Sequence, residues 1–189
     1  MHSGIEIGFL LDRQWHLMRS EPENSKRPAL LLLGQVLADA GISYAIIGGV
    51  ALQFHQAEPR TTLDVDLAVA NRNEIPRQQL VVAGFRHTGS FAHSENWIGP
   101  DGTPVQFTAD PALFEALTRA QSIEIEGVPL RVIGRSDLLH EKLRAAADPA
   151  RRRSKRLQDL ADAQGLLETD PAAAAELTEA EKAILNRLP

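Results

Sequence analysis

Residues 29–40 are rich in leucine and alanine and stop just before Gly41. That pattern predicts a mostly buried helix ending on a glycine cap. The next apolar run, 43–47, is too short for a helix and reads as a strand. Gly48-Gly49 breaks it, and 50–56 return to helical character. A second strand is expected over 61–69, with apolar and polar residues in alternation around Asp64 and Asp66. A helix over 73–83, closed by Gly84, leads to strands at 85–90 and 93–98. The turn Gly99-Pro100-Asp101-Gly102 joins the latter strand to 103–108 as a hairpin. Residues 111–119 predict a helix, and 122–125 with 128–133 a second hairpin around Glu126-Gly127. From 135 onward the chain predicts helices, broken near Asp148-Pro149 and Asp170-Pro171. The start is less legible. Residues 5–15 fit a short strand or a short helix, and 20–28, polar with two prolines, read as a loop.

Strands interleave with helices early, and helices gather late. This order predicts an α/β (α+β) fold, with a mixed sheet flanked by helices over 1–134 and a helical region over 135–189 packed on it. A chain of 189 residues is long enough to bury a core without covalent staples. The net charge of −5 makes the chain as a whole a poor electrostatic magnet for nucleic acid, although a local basic patch remains open to phosphate. The absence of cysteine excludes disulfides, thiolate metal sites and a cysteine nucleophile. No apolar run approaches the length of a membrane span, and residues 1–11 lack the basic region of a signal peptide. The expectation is a cytoplasmic protein without a membrane partner.

Two features carry chemistry. Gly48-Gly49 stands where a strand gives way to a helix. Glycine lets backbone approach a ligand closely, and the free N–H groups of the following helix favour a phosphate. An ordinary tight turn needs the same two residues. The second feature is Asp64-Val65-Asp66, where strand alternation points both carboxylates one way and Leu63, Val65 and Leu67 the other. Two like charges on one strand face repel each other unless a cation lies between them. A hard divalent ion such as Mg²⁺ takes carboxylate oxygens and leaves room for phosphate. The plainer alternative is a wetted strand face, which the low strand preference of aspartate opposes. Together the features make a phosphate cradle followed by a metal platform, as phosphoryl or nucleotidyl transfer requires.

The stretch Ile47-Gly48-Gly49-Val50-Ala51, then His55, then Arg60-Thr61-Thr62-Leu63-Asp64-Val65-Asp66-Leu67 resembles the signature of the nucleotidyltransferase superfamily. It is most similar to the bacterial branch that includes the AbiEii-type toxins. A weaker resemblance over 128–167 covers Lys142, Arg156, Asp159 and Asp162. The resemblance implies a minimal nucleotidyltransferase fold and Mg²⁺- (or Mn²⁺-) dependent transfer of a nucleotide from an NTP to a hydroxyl. The acceptor it implies is a tRNA end, a protein side chain or a small molecule, and toxin members have a cognate antitoxin. By the same resemblance Gly48, Gly49, Arg60, Thr62 and Lys142 bind nucleotide, Asp64 and Asp66 hold metal, and Lys142 joins them in catalysis. Relatives commonly supply a third carboxylate from a later strand, and the matching position here is Gln106. A glutamine cannot act as a base. This departure motivates a rival reading, a degenerate member that binds nucleotide or a partner without catalysis.

The remaining candidates have plain structural readings beside their functional ones. Lys142 shares a helical stripe with Leu138, Leu139 and Ala146, so its stem is expected on or beside a buried face. Arg151, Arg152, Arg153, Lys155 and Arg156 form a basic run that serves either as a solvated helix start or as a phosphate-binding patch. Asp159 and Asp162 are expected away from an apolar stripe of Leu157, Leu160, Ala161 and Gln164, with a surface ion pair from Lys155 to Asp159. The six histidines show no ligand spacing, and His55 is expected to play a structural part. Trp15, Trp97 and the phenylalanines are too sparse to build a stacking platform.

Overall fold

The computed structural model describes residues 4–21 and 24–186. The ambiguous start is a helix, α1 (Gly4–Met18), which buries Ile5, Gly8, Phe9 and Asp12. Much of the expected 20–28 loop is present, but Arg27 and Pro28 already belong to α2 (Arg27–Asp39). Proline is at home in a first helical turn, where its missing N–H has no partner to lose; positions 22 and 23 of that loop lie outside the described residues. Gly41 follows α2 with φ +65°, as a glycine cap requires.

Strand β1 (Tyr44–Ile47) is buried throughout and runs directly into α3 (Gly48–His55). Strand β2 (Val65–Val69) is shorter than its sequence pattern: residues 61–64 are a loop leading into it. The helix expected over 73–83 divides at Pro76 into a 3₁₀ turn, Arg72–Glu74, and α4 (Arg77–Val82), because proline cannot donate within a continuous helix. Strands β3 (Arg86–Ser90), β4 (Ser94–Ile98) and β5 (Pro104–Thr108) follow, then a 3₁₀ turn at Pro111–Leu113 and α5 (Phe114–Thr118). Strands β6 (Gln121–Ile125) and β7 (Val128–Val132) form the second hairpin. Glu126 and Gly127 both take positive φ there, as a tight two-residue loop demands. Helices α6 (Arg135–Ala147), α7 (Arg153–Thr169) and α8 (Glu179–Leu185) complete the chain, with a 3₁₀ turn at Pro171–Glu176. The last three positions, 187–189, lie outside the described residues.

The strands form a seven-stranded mixed sheet in the order β3-β4-β5-β2-β1-β7-β6, with β2–β5 and β1–β7 parallel and the other pairs antiparallel. The expected mixed sheet flanked by helices is therefore present. The central strands supply much of the core, including Ile46, Val65, Leu67, Phe107 and Val132. Helix α1 packs on α3, α2 on β7, and α6 and α7 on each other and on α3. That packing brings the last long helices against the junction where β1 becomes α3. No helix of the described residues is long and apolar enough to cross a membrane.

Candidate active site

At the end of β1 the chain turns into α3 through Gly48, whose φ of +61° is a conformation that side chains resist. A Cβ at Gly48 would overlap the Asp66 carboxylate, and one at Gly49 would meet the Thr62 hydroxyl at 2.5 Å. The glycine pair thus makes room for the two residues that the following loop and strand bring back against it. The β1–β2 register, which sets Ile47 beside Asp66, fixes that return.

Asp66 lies on β2, between the buried Val65 and Leu67 on the other face. Asp64 precedes the strand, so the expectation of one regular strand carrying both carboxylates is corrected. Asp64 owes its orientation to Thr62, whose hydroxyl donates to its Oδ1 at 2.7 Å. Burial, then the charge of Asp64, pushes the Asp66 carboxyl up to about 7, and the more distant charges of Lys142, Arg151 and Lys155 only partly offset the rise.

Across from this pair stand α6 and α7. Lys142 is buried on α6 with Leu138, Leu139 and Ala146, on the stripe that its spacing predicts. Its Nζ lies 3.0 Å from Asp159 Oδ1 and 2.7 Å from Asp162 Oδ2. Arg60 grips Asp162 with two parallel bonds, Nε to Oδ1 at 2.7 Å and Nη2 to Oδ2 at 2.9 Å. Arg151 Nε reaches Asp159 Oδ2 at 2.6 Å. The stripe predicted for α7 is therefore wrong. Its buried face holds Asp159, Leu160, Asp162, Ala163 and Leu166, whereas Leu157 is exposed. Lys155 bonds Gln158 at 3.4 Å instead of pairing with Asp159. Two carboxylates turn inward because three cations from other parts of the chain receive them there, information that helical spacing does not contain.

One cleft of about 740 Å³ is lined by every residue that the sequence singled out for the site: Gly48, Gly49, Arg60, Thr62, Asp64, Asp66 and Lys142. Gln106 also lines it, and its place matches the sequence reading. On β5 it is the direct register partner of Asp66, and its amide donates to Asn96 on β4 at 3.1 Å. Neutral amides therefore continue the row of polar side chains that Asp66 begins. His55 donates from Nε2 to the Ile133 carbonyl at 2.6 Å, tying the end of α3 to the chain after β7, which is a structural bond. Arg156 donates to the Ala146 carbonyl at 2.9 Å and closes the end of α6.

Three further residues of the cleft wall are ones that sequence reasoning did not assign to the site. Trp15, at the far end of α1, lines it with a partly exposed indole. Asp110 and Glu141 line it too, and Arg144 binds both carboxylates at 2.6 Å. Burial, only partly offset by Arg144, raises the Glu141 carboxyl above its usual range. None of the three stands in a spacing that marks it.

No protein-family model and no curated relative matches the sequence. Solved structures do. An antigenic nucleotidyltransferase-like protein from Paracoccidioides brasiliensis is 22% identical with a TM-score of 0.58, and the match covers 85% of each chain. The antibiotic-resistance factor ANT(2'')-Ia, solved in complex with adenylyl-2''-tobramycin, is 17% identical with a TM-score of 0.55, over 87% of this chain and 98% of that one. The Megavirus polyadenylate synthase is 15% identical with a TM-score of 0.51, over 77% of this chain and 32% of that one. The sheet, the helices around it and the likeness to these structures agree: the chain has a nucleotidyltransferase-like fold.

Proposed function

We propose that this protein transfers a nucleotide from an NTP to a hydroxyl acceptor, with Asp64 and Asp66 holding Mg²⁺ or Mn²⁺. The observation that carries the reading is the meeting of Asp66 with Gly48 at the start of α3, with Asp64 beside it and no cation within bonding distance of Asp66 among the described residues. A carboxyl pushed up to about 7 by burial and by a neighbouring carboxylate is poised for a bound cation.

The residues present suit a hard divalent ion. The donors are carboxylate oxygens, with the Gln106 amide oxygen in reach of the same row, and no His or Cys joins them. Among the described residues no group of three or more His, Cys, Asp or Glu is arranged around a metal point, so on this reading the chain would supply two carboxylates and leave the rest of the shell to water and phosphate. When bound, such an ion would supply neutralisation of charge at the transferring phosphorus.

The chain itself does the rest. Gly48 and Gly49 leave the first N–H groups of α3 open to the triphosphate. Thr62 orients Asp64. Lys142 and Arg60 bring positive charge to the cleft wall, although each is already paired with a carboxylate, so phosphate contact requires an exchange of partners. Lys155 also lines the cleft and bonds Gln158 at 3.4 Å. Glu141 lines the same cleft with its carboxyl raised by burial and held by Arg144, which makes it the acid to test as a proton acceptor. In this reading residues 1–134 form a core that carries Asp64, Asp66 and Arg60, residues 135–189 carry Lys142 and Lys155, and the cleft between them is the active site.

The acceptor is a separate question. ANT(2'')-Ia with its adenylylated tobramycin puts aminoglycosides first in a screen. The likeness to the AbiEii-type branch adds a tRNA end or a protein hydroxyl, in a toxin with a cognate antitoxin. The first test is thermal stability with each NTP, with and without Mg²⁺, for wild type and Asp66→Asn. An NTP at a hundred times its dissociation constant stabilises by about 2.7 kcal/mol. A Mg²⁺-dependent shift, lost in the variant, supports the site. No shift with any NTP sinks the reading.

Gln106 favours one alternative, a degenerate protein that binds nucleotide or a partner without catalysis, because the residue beside Asp66 cannot take a proton. Under that alternative wild type makes no product in any acceptor screen, and Gln106→Glu gains activity. Robust wild-type transfer excludes it.

A further inference from the structure

The loop that carries Asp64, one of the two proposed metal ligands, is pinned from behind by residues outside any recognised motif. Gln53, fully buried on α3, donates to the Arg60 carbonyl at 2.8 Å. Lys26, which immediately precedes α2, donates from Nζ to the Thr62 carbonyl at 3.0 Å. The same Nζ is paired with Asp12 Oδ2 of α1 at 2.7 Å, and both side chains are almost wholly out of solvent, at 0% and 1% exposure. Thr62 in turn bonds Asp64. A continuous chain of contacts therefore runs from Asp12 through Lys26 and Thr62 to Asp64.

The ion pair is an expensive choice if stability is its only purpose. Burial drives the Lys26 ammonium down and the Asp12 carboxyl up from their usual ranges, each toward its neutral form. Asp12 Oδ1 has no hydrogen-bond partner among the described residues. Buried pairs of this kind are often matched or exceeded in stability by apolar residues of similar volume. What an apolar pair cannot do is hold the Thr62 carbonyl. The positive charge is also felt at Asp64, which favours the charged ammonium.

We propose that Lys26, set in place by Asp12, is a positioning residue for the metal site and fixes Asp64 through the Thr62 backbone. The inference rests on the metal-site reading of Asp64 and Asp66. Groups that orient ligands from behind typically change metal affinity by about 10–100-fold when removed.

The test uses the full chain, Mn²⁺ alone as probe, and two variants. Asp12→Val together with Lys26→Met replaces the ion pair by apolar groups and removes the clamp. Asp12→Asn keeps the shape of the pair and weakens the hold on Lys26. Thermal midpoint and Mn²⁺ affinity are measured on each. The expected result is a double variant with a midpoint close to wild type and Mn²⁺ affinity lower by about 10-fold or more, with Asp12→Asn between the two. A purely structural pair would instead change the midpoint and leave Mn²⁺ affinity of the folded protein unchanged. If either folded variant binds Mn²⁺ within about twofold of wild type, well below the effect of a second-layer partner, the positioning role is overturned. Wild type that binds no Mn²⁺ overturns the metal-site reading first, and this one with it. Should the double variant fail to fold, Asp12→Asn decides the question alone.

Discussion

Strand β2 presents Asp66 to the cleft and helix α7 sets Asp162 against Arg60 and Lys142 of the cleft wall, yet the two carboxyls are shifted in opposite directions. Burial raises both. At Asp162 the direct bonds from Arg60 and Lys142 outweigh it and hold the carboxyl below its usual range. At Asp66 the nearest charge is another carboxylate, and the acid is pushed up to about 7. One region is a closed electrostatic structure, with every acid matched by a cation of the chain. The other is open, and among the described residues no cation pairs with Asp66 at bonding distance. That contrast separates a scaffold from a site, although both look like aspartates among apolar residues in the sequence.

Breaking the closed region should have the larger effect on stability. Lys142→Met leaves two buried carboxylates short of a partner and should cost about 3 kcal/mol, a fall in thermal midpoint of roughly 6–12 °C. An unchanged midpoint would show that Arg60 and Arg151 suffice. Next comes Gly48→Ala, which forces a side chain to φ +61° and into the Asp66 carboxylate. The backbone conformation alone costs about 1–2 kcal/mol, and Mn²⁺ binding should weaken with it; tight binding by the variant would separate the glycine from the metal site.

The opposite shifts make a pH test of the same contrast. The folded state holds the Asp66 proton to a higher pH than the unfolded chain does, so this residue lowers stability as pH rises from the ordinary carboxylate range through about 7. Asp162 does the reverse: its contribution is present above the ordinary range and is lost as pH falls through its lowered value. Without metal, Asp66→Asn should raise the thermal midpoint at pH 8 by about 2–4 °C and by less than half as much at pH 5. Mg²⁺ should stabilise wild type more at pH 8 than at pH 5, and equal stabilisation at both would argue against Asp66 as its ligand. The smallest effect is expected outside both regions. Arg152 and Arg153 are exposed, and their replacement by serine should change stability by less than about 0.5 kcal/mol, with any larger change in nucleotide affinity marking them as phosphate contacts.

The β1–α3–β2 segment was legible because its signals are local. A strand that ends in Gly48-Gly49, and a return strand that carries Asp66, need only near neighbours in the sequence to be read. The family resemblance marks Gln106 on a later strand, and the register sets it beside Asp66. Asp64 was placed on the strand because alternation alone cannot see that the ladder begins at Val65. The face of α7 was misread for a different reason. A helix whose buried side includes Asp159 and Asp162 looks, by spacing, like a helix turned the other way.

By itself the sequence determined the period of the main elements after α1, the glycines that tolerate positive φ, the carboxylate pair and the absence of thiol chemistry, because these depend on the backbone and on residues a few positions apart. The tertiary structure alone decided which acids are neutralised. Arg60 meets Asp162, Lys26 meets Asp12 and then Thr62, and Asp66 meets no cation at bonding distance among the described residues. Those pairings join residues that lie far apart in the chain. A charge interacts through space and loses its hydration by burial, and neither quantity exists until the chain has folded.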